Sequence, residues 1–444
     1  MPREPSAQLK RTLGLSSVLL FGLAYMTPLI VYGIYGVIAK ESQDTAALSY
    51  TVALVAIVFT ALSYCKLARQ YPVAGSAYTY TRKSFNGHFG FLIGWATLLD
   101  YLFIPMVIWL VGAAYMNAAM PSVPSWIWIV GFIVLTSTFN ILGIELAARF
   151  NFVLMVAQFA VVALFVYLCW HFAAAAAGPG GVAYLEPLVK PKVPFSAIMA
   201  GAAIAAYSYL GFDAVSTLTE EVVDPQKNMP RAILGIALIG GAIFIVASYT
   251  TQLAHPGTTF ERTDSAAFEI AQAVGGRLFM NGFFVGTVVA TFAAGMSAQA
   301  SVGRLLYAMG RDGVLPQRVF GYIHPKFRTP AINIALAGAI GLLALALDVT
   351  TSASFINFGA FLAFTAVNLC VVRQFLAGRF EGGRVGKVGG LVVPIAGAIA
   401  DIWLLTSLER TALILGISWF LIGIAYLCWI TRLFRRPPPE VAMA

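Results

Sequence analysis

Three carboxylates stand inside long apolar runs of this 444-residue chain: Asp100 in FLIGWATLLDYLFIPM, Asp213 in YSYLGFDAV and Asp401 in AGAIADIWLL. An Asp at the centre of a membrane helix costs about 2.5–3.5 kcal/mol on the insertion scale, so each needs a partner or a purpose. No Lys or Arg lies at comparable depth along the chain. Two chemistries satisfy such a group. It is protonated, because desolvation disfavours the charged form, or an organic cation supplies the missing charge. A chain that alternates between these states links proton release to cation binding. The plainer alternative is a protonated Asp hydrogen-bonded to a neighbouring helix, but intramembrane acids are functional by default. Asp100 lies well inside the third apolar run, with no cation in its own helix to pair with. Asp213 marks an interruption of the sixth. Asp401 lies near the outer end of the eleventh, within reach of the interface. Aromatics gather near these acids: Tyr25, Tyr32, Tyr101, Tyr207, Tyr209 and Phe212. A desolvated cation over such a ring gains about 2 kcal/mol. Aromatics make up 13% of the chain, so most of these rings are packing; Tyr207 and Phe212, flanking the interruption, are the strongest candidates for more.

The elements that must position these groups are interrupted helices. Backbone breaks at membrane depth are tolerated only where protein or a water-filled cavity surrounds them. The first run carries Gly22, Tyr25, Met26, Thr27 and Pro28 in succession, and Pro28 removes an N–H and clashes with the preceding turn. The sixth carries Tyr207, Ser208, Tyr209, Gly211, Phe212 and Asp213. Glycine and proline are common in membrane helices, yet these two breaks fall at corresponding places in two five-helix halves. Paired breaks of that kind point to a midplane binding site in an inverted-repeat transporter.

The composition demands a membrane setting. Hydrophobic residues make up 59% and charged residues 11%, with mean hydropathy +0.83, whereas soluble domains carry roughly 25% charged residues. A cytoplasmic enzyme, a nucleic-acid-binding domain and a disordered scaffold are excluded. Apolar runs long enough to span a bilayer fall at 14–38, 46–65, 89–117, 126–144, 150–173, 195–218, 232–254, 277–300, 331–348, 353–373, 388–407 and 411–431. The long third run fits one tilted helix, and only Leu408–Arg410 separates the last pair. With the N-terminus in the cytoplasm, Lys40, Lys190, Lys192, Arg262, Arg277 and Arg410 fall outside and the remaining 22 of 28 cations inside. Both termini are therefore expected in the cytoplasm. The +9 net charge then faces the anionic inner leaflet of the lipid bilayer rather than nucleic acid. The expected organisation is an all-α polytopic protein of about 12 transmembrane helices. Residues 1–13 form a cytoplasmic segment, 14–173 a first inverted repeat, 195–373 a second, 388–431 two further helices, and 432–444 a short disordered tail. The opening residues show no removable signal peptide.

Three intracellular segments carry a resemblance. Tyr71, Pro72, Gly75, Tyr78 and Tyr80, followed by Gly87, Gly90, Phe91, Gly94 and Trp95, resemble the loop between helices two and three of the amino acid–polyamine–organocation transporters. Glu220, Glu221, Pro225, Asn228, Pro230 and Arg231 resemble that family's loop after helix six. Ser301, Arg304, Tyr307, Arg311, Asp312, Gly313 and Pro316, then Thr329 and Pro330, resemble its loop after helix eight. The likeness runs almost the whole length of the chain. GLAYMTP, LLDYLFIPM, YSYLGFDAVSTLTEE and RLLYAMGRDGVLP are most similar to its proton-coupled putrescine-importing members. The resemblance implies a LeuT-like 5+5 inverted repeat with helices 1 and 6 broken. It also implies uptake of a diamine, an ammonium-binding role for Asp213 and an aromatic gate at Tyr207.

Two departures sharpen the reading. Amino-acid carriers of the family hold the substrate carboxylate on exposed N–H groups of a glycine-rich helix-one break. Here Ala24-Tyr25-Met26-Thr27-Pro28 stands in that place, which favours a substrate with only cationic ends. Several proton-linked relatives place a lysine in helix five where this chain has Gln158, so proton coupling must run through Asp100, Asp213 or Asp401. The expected substrate contacts are Tyr25, Met26, Thr27, Asp100, Tyr101, Tyr207, Ser208, Tyr209, Gly211, Phe212 and Asp213, with Tyr207, Glu221 and Arg311 as gate residues. An amino-acid permease or exchanger is the alternative. Enzymatic motifs such as HExxH and GxSxG are absent. The four cysteines and four histidines are too scattered for a metal or haem site, and no cofactor is expected. The expected partners are a small organic cation, protons and the bilayer. A channel would need a continuous polar lining instead of isolated acids.

Overall fold

The computed structural model describes residues 11–73, 76–142, 147–177, 184–311, 313, 315–380 and 386–438. Residues 1–10, Ala74, Gly75, Asp312 and residues 439–444, which the sequence reading drew on, lie outside the described residues, as does the side chain of Glu220. In chain order the helices are α1 (Leu15–Met26), α2 (Ile30–Gly33), α3 (Tyr35–Glu41), α4 (Ala46–Gln70), α5 (Ser76–Ser84), α6 (Gly87–Ala119), α7 (Ser125–Leu142), α8 (Ala147–Ala176), α9 (Phe195–Ala205), α10 (Pro225–Ala254), α11 (Ala266–Arg311), α12 (Gln317–Phe320), α13 (Ala331–Gly341), α14 (Val349–Leu376), α15 (Val393–Thr406) and α16 (Arg410–Ile430). α11 breaks sharply at Gly276, whose φ of 69° is open to glycine. Outside the helices, Leu13 and Val222 form an isolated bridge that ties the start of α1 to the segment after the sixth span.

Eleven helices among the described residues are long and apolar enough to cross a membrane. The expected span at 331–348 is the exception. It is 11 α-helical residues followed by four in a 3-10 turn. Fifteen residues of straight helix reach about 22 Å, short of a hydrocarbon core of about 30 Å. The third run is one helix, α6, with Pro105 inside it. The last pair is divided as expected, because Glu409 caps α16 by accepting from the Thr411 N–H.

Burial separates centre from rim. The window Phe195–Ser216 is 83% buried and α14 78%, against 17% for α16 and 22% for α7. On α16, Ile414, Ile417, Leu421, Ile422 and Trp429 are exposed, as expected of a helix facing lipid tails. α4 packs against α9, α10, α14 and α15, and α6 against α11, α14 and α5. The interrupted segments pack against α4, α10 and α14, so protein surrounds their unpaired backbone.

Candidate substrate site

Both expected breaks are present, each with a local cause. The residue before a proline is driven out of the α region, and Thr27, ahead of Pro28, has φ 51° and ψ 88°. Residue 28 has no N–H to give to the Ala24 carbonyl. The Thr27 N–H takes that acceptor at 3.2 Å and its hydroxyl donates to it at 3.4 Å. Ile30 N–H then bonds the Thr27 carbonyl at 2.8 Å. In the sixth span, α9 runs into a 3-10 turn at Ala206–Tyr209. Gly211 follows with φ 113°, and a Cβ there would fall 2.3 Å from Cδ1 of Tyr25. The two breaks thus meet face to face, and only glycine permits that contact. Asp213 follows directly and opens the turn Ala214–Glu221.

Five of the expected substrate contacts converge. Tyr25 lies within the electrostatic reach of Tyr101, Asp100, Asp213 and Tyr207. Tyr101 feels both acids, Tyr207 feels Asp100, and Asp100 feels Asp213. Oδ1 of Asp100 is buried without a hydrogen-bond partner. Asp213 accepts one side-chain hydrogen bond, from the Tyr64 hydroxyl at 3.3 Å. Among the described residues neither acid pairs with a Lys or Arg. Two carboxylates and three tyrosines, with no cation beside them among the described residues, make a cluster complementary to positive charge.

The other expected contacts have partners within the protein. Met26 is 4% exposed, and its Cε sits against Gly240 of α10. The Ser208 hydroxyl shares a hydrogen bond with the Tyr50 hydroxyl at 3.1 Å, and the Tyr209 hydroxyl donates to the Tyr50 carbonyl at 2.9 Å. The Phe212 ring packs on Tyr64 and Phe364 at 5.7 and 5.2 Å. The Thr27 hydroxyl caps backbone carbonyls of its own break. Tyr32, also near the first break, stacks on Phe165 at 4.2 Å. Tyr64 is the contributor that sequence reasoning missed, since nothing in the run ALSYCKLARQ sets it apart from the chain's other tyrosines.

Asp401 differs from its expected place. It reaches no interface and has no exposed surface. Its Oδ2 accepts from the Thr60 hydroxyl and the Asn368 amide, both at 2.9 Å, while Oδ1 has no partner. Packing of α15 against α4 and α14 turns the acid inward. On the gate side, the Glu221 carbonyl accepts from the N–H groups of Thr12 and Leu13 at 2.9 and 3.0 Å. Arg311 is exposed at the end of α11. At the opposite end of the bundle a cavity of about 700 Å³ is lined by Glu41, Asp264, Asp348 and Glu409, together with Lys40 and Arg262. Gln158 carries a buried amide oxygen without a partner.

A helical membrane bundle, two interrupted helices and an acidic, tyrosine-lined cluster at their meeting point are features of a secondary transporter. The family model for amino acid permeases matches residues 17–385, and the chain belongs to that family, a transporter family rather than an enzyme class. The low-affinity putrescine importer PlaP of Escherichia coli (strain K12) is 41% identical over 442 residues, covering 99% of this chain and 98% of its own. The methylthioribose transporter of Bacillus subtilis (strain 168) is 27% identical over 452 residues, covering 95% and 93%. The inward-facing structure of Mhp1 superposes with a TM-score of 0.61 at 16% identity, over 97% of this chain and 94% of that one. The fold is therefore LeuT-like.

Proposed function

We propose that this transporter imports putrescine or a similar aliphatic diamine across the inner (plasma) membrane by alternating access, coupled to protons, with both termini cytoplasmic. The observation that carries the reading is the pair Asp100 and Asp213, two acids beside the meeting breaks that have no cationic partner among the described residues. A diamine brings one ammonium for each. The membrane potential, negative inside, favours entry by about 2.3 kcal/mol per charge per 100 mV. The 41% identity to a putrescine importer over nearly the whole chain supports the same substrate class. Residues 14–173 and 195–373 act as the two inverted repeats that rock around this site, and Tyr207, Glu221 and Arg311 serve its gates. The test is uptake of labelled putrescine by purified protein in liposomes under imposed pH and voltage gradients. Asp213→Asn is expected to abolish uptake with normal membrane insertion. Diamine affinity at the wild-type level in that variant would overturn the assignment.

The second reading, an amino-acid permease or exchanger, is favoured by the family's own description. The first break argues against it. Across residues 27–30, the N–H groups of Thr27 and Ile30 are spent and Pro28 has none, which leaves only that of Leu29 to cradle a carboxylate. Strong competition by arginine with none from cadaverine would favour the second reading.

A further inference from the structure

An acid that binds the substrate's ammonium cannot carry a proton alongside it on the same trip. If a proton travels inward with the diamine, a carboxyl outside the pocket must hold it. Asp401 stands in such a place. Three helices clasp it: Thr60 of α4 and Asn368 of α14 donate to its Oδ2 at 2.9 Å. The Ser63 hydroxyl orients the Asn368 amide by donating to its oxygen at 2.6 Å. On α15 itself, Gly397 lies one turn before Asp401, and a Cβ there would fall 2.8 Å from the Asn368 amide nitrogen. The missing side chain is what lets Asn368 reach the acid. Thr60, Ser63, Asn368 and Asp401 are all fully buried.

Among the described residues no charge of opposite sign faces this group. On α4, Tyr50 bonds Ser208, Tyr64 points to Asp213, Cys65 to the Pro230 carbonyl and Lys66 to the Gly389 carbonyl, while Arg69 is exposed. On α14, Cys370 contacts Thr81 and Arg373 lies over the Phe85 ring. α9 and the turn Val388–Val392 carry no titratable side chain, and Lys387 before that turn is exposed. An ionised carboxylate so placed is far costlier than its neutral acid. Oδ1, the oxygen without a partner, is the atom left free to take a proton.

The clasp is wired to the substrate pocket through single helical turns. Thr60 and Tyr64 are one turn apart on α4; the first holds Asp401 and the second holds Asp213. Asn368 and Phe364 are one turn apart on α14; the first holds Asp401 and the second packs against Tyr64 and Phe212 at 6.2 and 5.2 Å. Residues four apart share a helix face, so a shift of either helix moves both sites together. We propose that Asp401 carries the coupled proton, in a three-helix clasp one turn removed from the diamine pocket. This rests on the proton-coupled import proposed above. The O–H bond at Oδ1 forms with a proton from the outer solution and breaks when that proton leaves to the inner one. No other group changes charge in the step.

The test joins transport with infrared titration. Asp401→Asn in liposomes is expected to keep putrescine counterflow near the wild-type level. Accumulation driven by an inward pH gradient should fall by about 10-fold or more. In pH-difference infrared spectra of the purified protein, taken without substrate, the variant should lack one carboxylic-acid carbonyl band of the wild type. Full gradient-driven accumulation in the variant, or a spectrum with every wild-type band, overturns the proposal. So does a wild-type protein in which no such band titrates. If Asp401→Asn fails to insert, Thr60→Val keeps the acid and removes one donor. It should move the band and the pH midpoint of uptake together, and an unmoved pair overturns the proposal. A wild-type protein that takes up no diamine refutes the substrate reading, while the substrate-free spectra still decide on Asp401.

Discussion

Tyr64→Phe removes one oxygen atom from the site and little else. The Tyr64 ring packs edge-on against Tyr80, Phe212 and Phe364 at 5.9, 5.7 and 6.2 Å, and phenylalanine keeps all three contacts. What is lost is the hydrogen bond to Asp213 Oδ2 at 3.3 Å. A well-formed hydrogen bond to a charged group contributes ~1.5–3 kcal/mol, and O–H···O bonds are most often near 2.7 Å. A 3.3 Å bond falls below that range, so a value of about 1 kcal/mol, or roughly fivefold in affinity, is appropriate. The sign follows from which form the hydroxyl supports. It donates to the ionised carboxylate, the form that holds an ammonium, so putrescine should bind about fivefold more weakly in Tyr64→Phe. The assay is equilibrium binding of labelled putrescine to purified protein, with Asp213→Asn and the double variant completing a cycle. In the Asp213→Asn background the tyrosine change should have almost no further effect, because its acceptor's charge is gone. Unchanged or tighter binding in Tyr64→Phe, or full additivity in the cycle, would refute the claim that Tyr64 tunes an ammonium-binding Asp213.

Four more outcomes are expected. Gly211→Ala forces an L-residue to φ 113° and drives its Cβ to 2.3 Å from Tyr25; backbone strain alone costs ~1–3 kcal/mol, and both thermal stability and uptake should fall, measured by melting and by liposome transport. Pro28→Ala returns an N–H to the Ala24 carbonyl and a residue with about 3 kcal/mol better helix propensity; the melting temperature should rise while uptake drops, as expected when a functional break is repaired. Asp100→Asn should weaken putrescine on the order of 30-fold or more, the scale of removing one partner of a buried charge pair, while leaving an aliphatic monoamine almost unaffected in the same binding assay. Lysine is cadaverine with a carboxylate added, and at ~6 Å and an effective dielectric near 20 each pocket acid repels that group by about 2.8 kcal/mol. With two such acids, cadaverine should therefore out-compete lysine by about 10⁴-fold.

The fold was legible because lipid imposes two rules that composition cannot hide. A span must be long and apolar, and a break must be shielded, so α4, α6, α10 and α14 and both interruptions could be read from residue types alone. The 331–345 segment fell short because hydropathy does not reveal where a helix tightens into a 3-10 turn. At the site, Asp100, Asp213 and Tyr25 stood out for their cost or for their place beside a proline. Met26, Ser208, Tyr209 and Phe212 were expected to touch substrate because they are adjacent to the break. Which way each points depends on the twist of an irregular backbone, which residue types alone do not encode. Tyr64 and the burial of Asp401 are tertiary facts. They depend on which face α4 turns toward α9, α14 and α15, and no local pattern in ALSYCKLARQ or IADIWLL encodes that choice.

Charge counting ties the pocket to the clasp. With a diamine bound, Asp100 and Asp213 are matched by two ammonium groups, and the loaded site is neutral. Both pocket acids are then engaged by the substrate on the inward trip, and neither can carry a proton beside it. Net symport needs an additional acid that keeps its proton while the pocket is filled and loses it on the inner side. Such an acid must be buried, free of cationic partners, and mechanically joined to the substrate site without touching substrate. Among the three carboxylates deep in the apolar runs, Asp401 alone meets all of these conditions, and Thr60 and Asn368 on the helices that carry Tyr64 and Phe364 supply the joint.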